Sequence, residues 1–182
     1  MSYFDENTLT TVQDLWKNLS YPPSDMHKPE FLKQEEEVLD FYKGWATCLN
    51  QTFNDDSESG KKFYNIDQTI TFDLFGFTGR SDFKEHFEQT FPYFSNARVD
   101  YKDLEIIITS PTSAFSTMVQ RLRGKSQDDK PFEMTYRITA ILIKQPAGNW
   151  QWIHEHVSFP VNMATKEADF TSTIDPKTAF HF

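Results

Sequence analysis

Four long alternating segments fill the second half of the chain, and they restrict its fold more than any other feature. They are "ARVDYKDLEIIIT" (97–109), "SAFSTMVQRLR" (113–123), "KPFEMTYRITAILIK" (130–144) and "NWQWIHEHVSFP" (149–160). Only turn-forming stretches separate them: "SPTS", "GKSQDDKP" and "QPAGN". Alternation of apolar and polar residues is the period of a strand with two unlike faces. Connections this short make consecutive strands antiparallel neighbours. The second half is therefore predicted to be an antiparallel meander.

The first half carries a different period. Val38, Tyr42, Trp45, Leu49 and Phe53 recur every three or four residues and form one apolar helical stripe from about Pro29 onward. Glu35, Glu36 and Glu37 lie near its start, where acids favour the helix dipole, and "NDDSESGKK" ends it. In "QTITFDLFGFTG", Ile70, Phe72 and Leu74 alternate with Thr69, Thr71 and Asp73, which reads as a strand, with Gly76 and Gly79 marking the turn. A second helix follows in "SDFKEHFEQTFP", capped by Asp82 with Glu85, striped by Phe83, Phe87 and Phe91, and stopped by Pro92. His86 falls off that stripe and reads as solvated. Residues 1–30 form an N-terminal extension with a short helix, broken at "YPPSDMHKP". The fold class is α+β, with helices covering one face of a strongly bent sheet.

Composition removes several function classes. A formal charge of -9 argues against a nucleic-acid binder, which needs a basic stripe. The local basic run "QRLRGK" reads as a hairpin tip. With Cys48 as the single cysteine there is no internal disulfide, and its place in the helix suits a small buried hydrophobe. No stretch resembles a signal peptide, and no apolar run of about 18 residues offers a membrane helix, so the cytoplasm is the expected location. The 18 phenylalanines call for either a bulky core or an aromatic-lined cavity.

Three positions could carry chemistry. Asp73 interrupts an apolar strand beside Phe72, Leu74 and Phe75; turned inward it would be a desolvated general base, turned outward it would solvate an edge. Arg137, in mid-strand, faces either solvent or an acidic partner, and in a pocket would stabilise an enolate. Trp150, Trp152, His154, His156 and Ser158 share one face if the closing strand is regular. Pairing Lys144 with Asn149 places Arg137 opposite His156, whereas pairing it with Trp150 sends the histidines to the other face. Two strand histidines need a third metal ligand from elsewhere, so an imidazole acting as acid, base or hydrogen-bond donor is preferred to a metal site, and plain structural hydrogen bonding is preferred for at least one of them. No phosphate loop, dinucleotide fingerprint or nucleophile elbow is present.

The helix of residues 31–53, "ITFDLFGFTGRSDFKEHF", the long strands and the ending Trp150, His154, His156, Ser158, Pro160 together resemble the SnoaL-like branch of the nuclear transport factor 2-like superfamily. The resemblance covers about residues 31–164 and leaves residues 165–182 as a C-terminal tail. It implies a cone-shaped α+β barrel, a curved, mostly antiparallel sheet wrapped around N-terminal helices, with a deep hydrophobic pocket and a homodimer made through the outer face of the sheet. "TFDLFG" is similar to the motif that carries the catalytic aspartate of ketosteroid isomerases, which implies a base role for Asp73. "TYRIT" is similar to the penultimate strand of the association domain of calcium/calmodulin-dependent protein kinase II, which implies a cavity-lining role for Arg137. The isomerases' oxyanion pair has no secure match.

The expectation is a cofactor-independent acid–base enzyme of isomerase, dehydratase or cyclase type, acting on a small hydrophobic carbonyl compound. Asp73, His154 and Arg137 would be catalytic, with Tyr42, Trp45, Phe72, Trp152 and His156 binding the ligand. The alternative is a non-catalytic binding or assembly domain of the same fold. No metal, nucleic-acid or membrane partner is expected.

Overall fold

The computed structural model describes residues 3–8, 10–52, 55–74, 76–90, 95–126, 128–175 and 177. Helix α1 (Val12–Asn18) belongs to the leader, α2 (Leu32–Thr47) continues into a π-helical turn at Cys48–Thr52, and α3 (Phe83–Thr90) follows a short hairpin. The strands are β1 (Ile70–Asp73), β2 (Gly76–Thr78), β3 (Ser95–Ser110), β4 (Ser113–Lys125), β5 (Pro131–Lys144), β6 (Trp150–Ser158) and a separate pair, β7 (Val161–Asn162) and β8 (Glu167–Ala168). The expectations for Phe53, Phe75, Phe91 and Pro92 fall outside the described residues.

The predicted meander forms: β3, β4, β5 and β6 pair antiparallel in chain order, and β1 joins the far side of β6 in parallel. The resulting six-stranded curved sheet has the order β2-β1-β6-β5-β4-β3. Among the described residues the two end strands do not pair with each other, so the expected cone-shaped curved sheet is open along one side. Leader residues protect its β3 edge, because Phe4 and Tyr101 exchange backbone hydrogen bonds and Ser20 N–H donates to Asp103.

The apolar stripe of α2 packs into the concave face. Val38, Leu39, Tyr42 and Ala46 are fully buried there, together with Tyr101, Leu104 and Ile106 of β3 and Leu142 of β5. Burying each valine, leucine or isoleucine among them contributes about 1.5–3 kcal/mol. Val12 and Leu15 of α1 join the same core. The aromatic surplus gathers at one end of this face, where Phe41, Trp45, Phe63, Tyr64 and Trp152 meet edge-on or tilted at 4.6–5.8 Å. Arg121 and Arg123, expected at a hairpin tip, lie within β4 and clamp the buried Asp100 at 2.6–2.9 Å.

Candidate active site

Between the end of α2, α3 and the inner faces of β1, β4, β5 and β6 lies a cavity of about 100 Å³. Its apolar wall includes Trp45, Leu49, Phe83, Leu122, Ile138 and Val157. Its polar groups are Thr71, Asp73, His86, Thr90, Gln120, Tyr136, Tyr64 and Glu155. A wider surface groove of about 430 Å³ runs past Glu37, Phe41, Lys62 and Trp150. There the Glu37 carboxylate is already held by Lys144 and the Trp150 indole, so the smaller cavity has the better chemistry.

Strand β1 decides the direction of Asp73. Thr71 is buried and Phe72 is exposed, so alternation turns Asp73 inward, next to its hairpin partner Gly76. Its carboxylate lies 2.5 Å from Nε2 of His86. That imidazole is only partly accessible, in contrast to the solvated position expected from its sequence. Its spacing of three from Phe83 puts it at the flank of the buried stripe of α3, which is the signal the stripe count overlooked.

The closing strand contains a bulge that neither expected register includes. Trp150 pairs with Lys144 and Trp152 with Leu142, which places both indoles inside. One extra residue, Ile153, then intervenes, and His154 pairs with Ile141. The faces exchange beyond that point: Glu155 and Val157 line the cavity, while His154 and His156 lie outside against Phe72. His154 Nδ1 is 3.0 Å from the Ile70 carbonyl oxygen. Arg137 shares this outer face, is exposed, and donates to the Phe159 carbonyl oxygen.

The predicted set is therefore divided. Asp73 and Trp45 line the cavity. His154, His156, Arg137 and Phe72 are on the opposite face of the sheet and do not converge with Asp73. Tyr42 is sealed in the core, bonded to the Ser116 hydroxyl and receiving the Trp152 indole N–H.

The bulge brings in a carboxyl that the sequence reading did not single out. Glu155 is half-buried, and the surface it keeps lines the cavity. Protein encloses its other sides, so poor hydration pushes its carboxyl up to about 7. The Tyr64 hydroxyl, donating at 3.0 Å, opposes that rise and the negative charge of Asp73 adds to it. The cavity thus pairs a carboxylate held by an imidazole with a carboxyl that gains or loses a proton near neutrality, inside an aromatic and aliphatic wall. Among the described residues, no group of three or more His, Cys, Asp or Glu side chains could hold a metal ion.

Residues 62–162 match the family of the SnoaL-like domain. No curated protein matches the chain. Among solved structures, a nuclear transport factor 2-like protein of unknown function from Pseudomonas putida is similar at a TM-score of 0.61 and 23% identity, over 79% of this chain and 97% of the other. A ketosteroid isomerase-like protein from Erwinia carotovora is similar at 0.54 and 18% identity, over 72% and 97%. The association domain of the C. elegans calcium/calmodulin-dependent protein kinase II is similar at 0.54 and 10% identity, over 72% and 99%. At these identities the likeness is one of fold. No helix among the described residues is long and apolar enough to cross a membrane.

Proposed function

The chain belongs to the SnoaL-like domain family, and on that premise we propose that its cavity binds a small, largely apolar carbonyl compound and moves a proton on it. The observation that carries this is the His86–Asp73 pair facing the same cavity as Glu155. The Asp73 carboxylate accepts a proton from the carbon next to the carbonyl, and the electron pair passes to the carbonyl oxygen. Glu155, able to hold a proton near neutrality, donates it to that oxygen or to a departing hydroxyl. His86 fixes the orientation of Asp73 and steadies the proton it receives. A ketosteroid isomerase-like protein of the same fold is in keeping with proton transfer of this kind.

A general test is exchange of the α-hydrogens of 2-cyclohexenone in deuterated water, followed by NMR. The wild-type protein is expected to exceed the buffer rate, and Asp73→Asn to lose roughly a hundredfold or more of that excess. Equal rates in the two proteins sink the proposal.

A second reading, assembly through a homodimer, is favoured by the outer sheet face, where Phe72, Phe77 and Ile141 are exposed. A protein without exchange activity that sediments as a dimer, and becomes monomeric when Phe72 and Phe77 are replaced by Ser, supports that reading instead.

A further inference from the structure

We propose that Gln120 and Tyr136 form the subsite that grips the oxygen of an uncharged, single-ring ligand in this cavity. This inference rests on the cavity being a small-molecule site and adds what that molecule must carry. Gln120 of β4 and Tyr136 of β5 are direct register partners and point inward side by side. Both are more than nine-tenths buried, at 8% and 4% exposure, and both line the cavity. The Gln120 amide donates to the Tyr136 hydroxyl at 2.7 Å.

The pair holds more donors than the protein uses. A glutamine amide carries two N–H groups and a tyrosine one O–H, while their mutual bond consumes a single donor. Neither side chain has another hydrogen bond with the described residues. Turning the amide over makes the tyrosine the donor and leaves both amide hydrogens free, so the surplus persists in either orientation. Buried donors without acceptors are costly, and here the open side is the cavity itself. A ligand oxygen placed against this pair completes their hydrogen bonding.

Charge and size narrow the ligand further. Among the described residues the acidic groups on the wall are Asp73 and Glu155, and the one basic lining residue, His86, is engaged by Asp73. A carboxylate or phosphate would meet two acids and no available cation, so an uncharged acceptor such as a ketone fits best. A space of about 100 Å³ is smaller than the roughly 150 Å³ apolar cavity that accommodates benzene, so a fused ring system does not fit and one ring is the upper size.

Calorimetric titration of the full chain with acetophenone, ethylbenzene and benzoate at pH 7.5 tests this. Acetophenone is expected to bind, and benzoate at least roughly tenfold more weakly. Tyr136→Phe and Gln120→Leu should each weaken acetophenone about fivefold and leave ethylbenzene within about twofold, the ethylbenzene value reporting that the cavity is still formed. Unchanged acetophenone affinity in both variants overturns the subsite, as does benzoate binding as tightly as the ketone. Those results leave the acid–base reading standing, because that reading is decided by exchange in Asp73→Asn. Failure of the protein to bind either acetophenone or ethylbenzene overturns both the subsite and the cavity's role.

Discussion

The molecule contains two histidine–carboxylate sites that look alike in composition and differ in what surrounds them. At the cavity, His86 meets Asp73, and both retain some accessible surface. At the junction between leader and domain, His27 bridges Glu35 of α2, 2.9 Å from Nδ1, and Glu105 of β3, 3.2 Å from Nε2. All three of those side chains are almost entirely buried, and Trp16 covers the imidazole with ring centroids 4.5 Å apart. The first site faces open space bounded by apolar walls, while the second is closed by packing. The same kind of pair thus faces a cavity in one place and ties three segments together in the other, and access is what separates them.

The closed site has a further demand. Each ring nitrogen faces a carboxylate oxygen, and a neutral imidazole has one N–H, so either tautomer would leave a lone pair against an acceptor. An additional proton on the imidazole or on Glu35 resolves this. Burial raises the Glu35 carboxyl, with the His27 hydrogen bond working against that rise. Its second oxygen, Oε2, is buried without a hydrogen-bond partner among the described residues.

The largest expected effect therefore belongs to the closed site. His27→Ala leaves two buried acids facing one another and should lower stability by about 3–5 kcal/mol, the usual result of breaking a buried pair. His86→Ala opens onto a cavity that water can enter and should cost about 1 kcal/mol while abolishing the proposed exchange. Denaturant titration of both variants checks the contrast. Equal losses of stability would erase the distinction between the two sites.

A smaller effect concerns pH. The Glu155 carboxyl is raised in the folded protein, from an ordinary value of 4.5 to about 7. Its contribution to stability is complete below the unfolded value and is lost as pH rises through about 7. Glu35 is shifted in the same direction, so both sites favour the acidic side. Melting temperature should decline between pH 5 and pH 8 in the wild type and decline less in Glu155→Gln. The slope that remains belongs to the junction, and Glu35→Gln should reduce it. A wild-type melting temperature that rises over this range would contradict both assignments.

How much of the candidate site was legible beforehand differs from residue to residue. Asp73 could be singled out because an acid among Phe72 and Leu74 conflicts with strand propensity. His86 and Tyr64 had no such local conflict, and their roles come from what they touch. Glu155 sits between two histidines, and the sequence left open which of the two faces of that strand points inward. The leader likewise read as an extension, although Val12 and Leu15 enter the main core and His27 locks it to two other elements.

By itself the sequence determined the meander, the inward stripe of α2 and the unusual acid in β1, because each is written in a local period of two or about 3.6 residues. The tertiary structure alone decided which face of β6 meets the cavity. The single extra residue at Ile153 exchanges the two faces partway along the strand, and whether such a bulge forms depends on packing against β1 and β5 rather than on the strand's own alternation.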